Sequence, residues 1–327
     1  MSVGAIGRES NTGNKRRRNE DSFVVAPPLF AVADGMGGAQ AGEVASKLAA
    51  AALEETDPGA SGGTERVVEL IQEANRRVYE RSNADPAASG MGTTITAALV
   101  EGTTVAFGHV GDSRAYLVRD GVMEQLTEDH SLVNELMKSG KLSPEEAEAH
   151  PQRSVITRAL GTDPDVDVDT FVVDARENDL FLICSDGLTT MVDDDSILEL
   201  LERYHHDLDR AAKSLVAAAN RNGGEDNITV IAFTIAADTG DDTVRMPAAG
   251  TADDDTMEAV LPHSPAVDTM VVPAHEVESA LLVPGSPEAL AAVRRDPITP
   301  AARARLVLMM LALLGVAAVL LVWGLLR

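Results

Sequence analysis

Three apolar runs in this 327-residue chain open or close on an aspartate. "LFAVADG" (29–35) and "LFLICSDG" (180–187) lead into one, and "EDNITVIAF" (225–233) leads out of one. Such runs read as buried strands, and a carboxylate at the end of a buried strand pays for desolvation unless it is paired or bound to a metal ion. A fold that brings several of these ends together makes a hard, all-oxygen site. Oxygen-only ligation selects Mg²⁺ or Mn²⁺ over zinc, which prefers His and Cys.

Further strand patterns are "SFVVA" (22–26), "TTITAALV" (93–100), "TVAFGHV" (104–110), "RAYLV" (114–118) and "FVV" (171–173). Helical patterns cover "AGEVASKLAAAALEE" (41–55), "TERVVELIQEANRRVYERS" (64–82) and "DLDRAAKSLVAAANRNG" (207–223), the last closing on a Gly cap at Gly223. Strands cluster in the middle and helices do not alternate strictly with them. That pattern predicts antiparallel sheets covered by helices within residues 1–237, not a doubly wound parallel sheet. Aromatic residues are only 3% of the chain, so the core is expected to rest on Val, Leu, Ile and Ala.

Beyond residue 237 the composition changes. Residues 238–305 contain no aromatic residue and are rich in acids, Pro, Ala and Thr, the signature of a disordered linker. Within them "DDTVRMP", "DDDTMEAVLP" and "VDTMVVP" form a loose repeat, read either as drift in a biased sequence or as phosphorylatable or docking motifs. Residues 306–326, "LVLMMLALLGVAAVLLVWGLL", carry no charge. At 1.5 Å per residue they span about 31 Å, the thickness of a bilayer core, which predicts a transmembrane helix. Trp323 lies near its end; Arg294, Arg295, Arg303 and Arg305 precede it and only Arg327 follows. The positive-inside rule then places the folded part in the cytoplasm, on a single-pass anchor in the cell membrane. The lone Cys184 excludes an internal disulfide and fits a reducing compartment, and "MSVGAIGRES" lacks a secretion signal.

The densest positive patch, "NKRRRNED" (14–21), abuts Asn19, Glu20 and Asp21 in a chain of net charge −25. With a pI near 4.5 and no further basic stripe in the first 290 residues, nucleic-acid binding lacks its electrostatic footprint. A site needing both signs of charge is the sharper reading: carboxylates for metal ions and an Arg for a phosphate oxygen. Five acidic motifs stand at strand ends or tight turns: "NED" (19–21), "ADGMGG" (33–38), "GDSRAY" (111–116), "CSDGL" (184–188) and "EDNIT" (225–229).

Taken in order, R-x-x-N-E-D (16–21), D-G-M-G-G (34–38), G-T-T (92–94), G-D-S-R (111–114), S-D-G (185–187) and E-D-N (225–227) resemble the metal-dependent Ser/Thr protein phosphatases of the PPM (type 2C) class, bacterial branch, over residues 3–236. The resemblance implies an α+β fold: a four-layer α/β/β/α sandwich of two antiparallel sheets flanked by helices, with a binuclear metal site at one end. It further implies that Asp34 bridges two Mn²⁺ or Mg²⁺ ions with the Gly35 carbonyl on one of them. Asp186 and Asp226 ligate the second, and Glu20 and Asp21 contribute directly or through water. Asp112, with Asp186, resembles the holder of a third ion, and Asn227 steadies the Asp226 loop. Arg16 is singled out for the substrate phosphate in a bidentate contact; Arg17 and Arg18 fall at variable positions and read as surface charges.

The implied reaction is hydrolysis of phosphoserine or phosphothreonine by a metal-activated water, with no covalent phosphoenzyme. A Cys-based phosphatase would need an Arg six residues after its nucleophile, and position 190 is Thr, so Cys184 reads as a buried strand residue. Met36 stands where many eukaryotic relatives have a His proposed as general acid. His109 and His130 are candidates for that role by sequence proximity, against ordinary packing. Residues 130–165 resemble the flap beside the bacterial active site, with Arg158 open to a structural or a substrate role. Expected partners are phosphoproteins, among them a membrane-associated Ser/Thr kinase and its substrates. Two rivals remain: a tethered pseudophosphatase that binds phosphoproteins without turnover, and an enzyme for small phosphate esters.

Overall fold

The computed structural model describes residues 1–37, 41–55, 62–148, 150–237 and 270–271. Its strands are β1 (Ser2–Asn11), β2 (Asp21–Ala26), β3 (Leu29–Met36), β4 (Gly92–Thr93), β5 (Ile95–Glu101), β6 (Thr104–Val110), β7 (Arg114–Arg119), β8 (Val122–Gln125), β9 (Val155–Ile156), β10 (Asp169–Asp174), β11 (Leu180–Cys184), β12 (Ile228–Ala236) and β13 (Met270–Val271). The α-helices are α1 (Ala41–Glu55), α2 (Gly63–Ala84), α3 (Leu132–Lys138), α4 (Pro144–Glu148), α5 (Asp186–Thr189), α6 (Asp194–Arg203) and α7 (Leu208–Arg221). One sheet runs β1-β12-β11-β7-β8 and the other β10-β6-β5-β3-β2, with β4 added beside β3. Every pairing in both sheets is antiparallel, as the sequence predicts.

The near-continuous apolar runs follow from strands that are buried on both faces. In β3, Phe30 and Val32 point between the sheets while Leu29, Ala31 and Ala33 face α1 and α2. In β12, Ile231, Phe233 and Ile235 point inward while Val230 and Ala232 face α6 and α7. The helix-facing layers do rest on Ala, Val, Leu and Ile: Ala45, Ala49 and Ala52 let α1 lie close against its sheet. The inter-sheet layer corrects the expectation of an aromatic-poor core, for all six phenylalanines of the chain sit in or against it. Phe30 stacks on Phe233 with centroids 4.1 Å apart, and Phe107 on Phe171 at 5.0 Å. Six rings in one layer concentrate a large apolar area that the overall composition hides.

α7 ends at Arg221 with Asn222 as its cap, and the expected glycine cap follows it: Gly223 and Gly224 take φ values of 143° and 57°, and their N–H groups donate to the Asn220 and Ala219 carbonyls of the last turn. One strand was missed. β1 was not signalled by "SVGAIGRESN", which lacks apolar alternation. It forms because it pairs with β12 from Ser2↔Ala236 to Asn11↔Ile228 and so covers the edge of that sheet.

The expected membrane span, and the expected linker apart from Met270 and Val271, lie outside the described residues. Among the described residues no helix is long and apolar enough to cross a membrane.

Candidate metal centre

The β2–β3 hairpin sets Asp21 directly opposite Asp34. Like charges facing each other across a ladder destabilise it unless something of opposite sign intervenes. From the other sheet, Asp186 arrives at the turn after β11 as the first residue of α5, and Asp226 just before β12. Asp112 comes from the β6–β7 loop. The charges of Asp21, Asp186, Asp226 and Asp112 all act on Asp34.

Burial comes first among the causes that raise these acids. It pushes Asp21 up to about 6, against hydrogen bonds from Thr229 and Ser185 that pull the other way. It pushes Asp112 up to about 7, with the charge of Asp129 adding to it. Asp34 and Asp186 are held well above the usual carboxylate range by burial and then by their carboxylate neighbours, Asp21 leading for Asp34 and Asp112 for Asp186. Asp34 and Asp186 nevertheless keep an open face, as ligands to an incoming group must.

Asp21 Oδ2 accepts hydrogen bonds from Ser185 Oγ (2.9 Å) and Thr229 Oγ1 (2.6 Å), but its Oδ1, like Oδ1 of Asp186, is buried without a hydrogen-bond partner. Orphaned buried oxygens in a cluster of raised carboxylates are what a divalent cation would satisfy. Among the described residues no group of three or more His, Cys, Asp or Glu side chains is arranged to hold a metal ion as it stands. The site is a set of mutually repelling carboxylates whose oxygen donors fit Mg²⁺ or Mn²⁺.

Backbone clamps hold the cluster. Thr94 Oγ1 accepts from the Asp34 N–H (3.0 Å), and Thr93 Oγ1 donates to the Asp34 carbonyl (2.8 Å), which gives the G-T-T motif its role. Gly35 and Gly42 touch backbone to backbone: a Cβ on Gly35 would lie 2.2 Å from the Gly42 oxygen, and one on Gly42 would lie 2.3 Å from Glu20 Oε2. Asn227 does more than steady the Asp226 loop. Its Nδ2 donates to the carbonyls of Thr12 and Arg18, and its Oδ1 accepts the Glu20 N–H (2.7 Å), so it fixes the whole basic loop against β12. Asn14 and Lys15 N–H add bonds to the Gly224 carbonyl.

That loop answers why cations abut carboxylates. Arg16 Nη2 donates to Asp226 Oδ2 at 2.7 Å, so the guanidinium expected to take a phosphate stands on a candidate metal ligand. Arg17 and Arg18 are exposed, with Arg18 reaching Glu43 at 3.5 Å. Arg114 of G-D-S-R forms a fork on Asp129, with Nε at 2.9 Å and Nη2 at 2.7 Å, a structural role that the sequence did not signal.

The two histidines have structural partners. His109 is buried between Thr96 Oγ1 and the Glu128 carbonyl, and burial lowers it to about 3. His130 and Gly111 exchange two bonds: the His130 N–H donates to the Gly111 carbonyl (2.7 Å) and the Gly111 N–H donates to Nδ1 (2.9 Å). Nδ1 is therefore the unprotonated nitrogen, and Nε2–H faces Asp169 Oδ2 at 3.2 Å. Arg158 also pairs with Asp169, so it ties the flap to β10. Met36 is buried with Ile156 and Ala159, which seats β9 of the flap two residues from Asp34. Cys184 is fully buried and its thiol is pushed up to about 12, which leaves it inert as a nucleophile.

Comparison with known proteins agrees with this geometry. The protein phosphatase 2C pattern matches residues 14–219. The serine/threonine protein phosphatase PstP of Mycobacterium tuberculosis is 42% identical over 224 residues, which are 68% of this chain and 43% of that protein. The chain thus spans less than half of that relative's length. The serine/threonine phosphatase stp of Listeria innocua is 41% identical over 233 residues, covering 68% of this chain and 92% of that one. The crystal structure of the catalytic domain of PstP in complex with two manganese ions superposes with a TM-score of 0.66 at 37% identity, over 72% of this chain and all of that one. Two helix-flanked antiparallel sheets, a carboxylate cluster at their ends and matches of this extent lead to one assignment: the chain belongs to the protein phosphatase 2C family.

Proposed function

We propose that this chain is a metal-dependent protein serine/threonine phosphatase. The observation that carries the reading is the cluster of Asp21, Asp34, Asp112 and Asp186, raised by burial and with two buried oxygens unsatisfied. Asp34, the Gly35 carbonyl, Asp186 and Asp226 would hold two Mn²⁺ or Mg²⁺ ions, supported by Glu20 and Asp21, and Asp112 with Asp186 a third. Bound there, such ions supply Lewis-acid activation of the attacking water and neutralise charge on the phosphoryl oxygens. Arg16, at the edge of the cluster, binds and orients the phosphate through its guanidinium fork. Asn227 and the threonines of G-T-T keep the loops from shifting as the charge at the site changes. The neutral, internally bonded His109 and His130 hold backbone and do not carry a proton to the leaving group.

Residues 306–326 tether the domain to the cell membrane with the catalytic side in the cytoplasm, and the tether raises its local concentration near a membrane-bound kinase and that kinase's substrates. Two measurements test this reading. Phosphate release from phosphothreonine peptides is expected to exceed that from matched small phosphate esters by at least ~10-fold in kcat/KM, and equal rates would favour a small-ester enzyme. Removal of residues 306–326 is expected to move the protein from the membrane to the soluble fraction; unchanged sedimentation would remove the anchor.

A further inference from the structure

We propose that Lys15 and Arg17 make this site selective for phosphothreonine flanked by acidic residues. The inference rests on the reading that Arg16 binds the substrate phosphate, and it names the class of peptide that reading leaves open. The loop carries four cations in a row, Lys15, Arg16, Arg17 and Arg18, and the structure divides them. Arg16 is engaged by Asp226 at 2.7 Å, and Arg18 reaches Glu43 at 3.5 Å. Lys15 and Arg17 are exposed and form no ion pair among the described residues, so their charge faces an external anion.

Their placement is fixed. The Asn14 and Lys15 N–H groups donate to the Gly224 carbonyl at 2.7 and 3.2 Å, Asn14 Nδ2 donates to the Asn220 carbonyl at 2.7 Å, and Asn227 Nδ2 donates to the Arg18 carbonyl at 2.9 Å. Gly13, at φ 77°, lies so close to the Asp226 backbone that a Cβ there would stand 2.1 Å from its carbonyl oxygen. The loop is thus held on both sides of Arg16, against the turn that carries Asp226. Neighbouring Cα atoms are about 3.8 Å apart, so Lys15 and Arg17 stand one residue to either side of the phosphate ligand. A peptide residue up to three positions from the phosphothreonine lies within about 10 Å of it, in reach of two long side chains. A loop already ordered recognises charge with little further loss of entropy. A chain of net charge −25 repels an acidic peptide as a whole, and this loop offers the opposite sign beside the reacting phosphate. A basic peptide meets like charge at the same place and is disfavoured there.

The probe is the peptide TADDDTMEAV, a sequence the chain itself contains at 251–260, phosphorylated at Thr256. It is compared with a copy whose Asp and Glu are changed to Asn and Gln, and with a copy in which they are changed to Lys. kcat/KM is measured with the full chain in non-ionic micelles and saturating Mn²⁺. At low salt the acidic peptide is expected to exceed the neutral copy by about 3- to 10-fold, and the two are expected to converge near 1 M salt, where the screening length is about 3 Å. Lys15→Ser with Arg17→Ser is expected to bring the ratio close to one. Lys15→Glu with Arg17→Glu is expected to reverse the preference toward the Lys copy, a gain that a damaged fold does not produce. Lys213→Ser, which removes an exposed cation from α7, is expected to keep the wild-type ratio. Equal kcat/KM for acidic and neutral peptides in the wild-type chain, or a ratio that both double substitutions leave unchanged, would overturn the proposal while the phosphatase reading stands. Turnover of none of the three peptides would overturn that reading, and this inference with it.

Discussion

The β2–β3 hairpin has two ends with opposite chemistry. Toward its turn, Ala26 pairs with Leu29 and Val25 with Phe30, whose ring stacks on Phe233 in the layer between the sheets. At its other end Asp21 faces Asp34, with three further acids, Asp186, Asp226 and Asp112, acting on the same site. The apolar end is satisfied as it stands. The acidic end, beyond the Ser185 and Thr229 hydroxyls that donate to Asp21, calls for protonation or cations, and its geometry is held by backbone clamps. One continuous ladder thus spends stability at one end to create reactivity at the other, and the difference between the two ends should be measurable.

The largest expected effect is at the apolar end. Phe233→Ala removes a fully buried ring from a stack shared with Phe30 and Phe181, and should cost about 3–5 kcal/mol in denaturant unfolding. Next comes a change of opposite sign: Asp34→Asn relieves repulsion from Asp21, Asp186, Asp226 and Asp112, and should stabilise the metal-free protein by about 1–2 kcal/mol while abolishing turnover. An unchanged or lowered melting temperature would mean that the acids are not strained against one another. His130→Ala leaves the buried Gly111 N–H without its acceptor and should cost about 1–3 kcal/mol, with partial recovery in His130→Asn.

The pH dependence separates the two ends further. Carboxylates raised in the folded state bind more protons than the unfolded chain does, so their share of stability is present below about pH 4 and is lost as pH rises through the folded values, near 6 for Asp21 and 7 for Asp112. Metal-free protein should therefore melt several degrees higher at pH 5 than at pH 7.5, about the shift that 1–2 kcal/mol produces in a domain of this size. Saturating Mn²⁺ should reduce or reverse that slope, and a flat profile in its absence would contradict the account. The smallest effect belongs to Arg18→Ala, an exposed ion pair whose loss should change stability by less than ~0.5 kcal/mol.

What the sequence showed and what it hid divides along the same line. The eight apolar runs became strands and the Asp motifs converged, because both signals are local: a run of apolar residues, and an acid at its end. The polar, glycine-containing β1 was hidden, since it is a strand by virtue of β12 alone. α6, "DDSILELLER", was passed over although Asp193 caps it by accepting the Ser196 N–H. The six-ring layer was invisible in a 3% aromatic composition, because its density arises only when distant strands stack. At the site, the acids were legible and their supports were not. Thr94 to Asp34, Asn227 to Glu20, Arg114 to Asp129 and His130 to Gly111 join residues far apart or in irregular loops, where no spacing rule operates. Arg16 was legible as a partner for negative charge, and the structure sets it on Asp226.

The central claim is that the acidic end of this sandwich is a metal-dependent phosphatase centre. Its most direct test is phosphate release from a phosphothreonine peptide by the full chain in micelles, with Mn²⁺, with Mg²⁺ and with EDTA, beside Asp34→Asn and Asp186→Asn. The account predicts turnover that requires added metal, stops on chelation, and falls at least ~10³-fold in both variants. Turnover that persists in EDTA and in both substitutions, or none from a folded, metal-loaded chain, would contradict it.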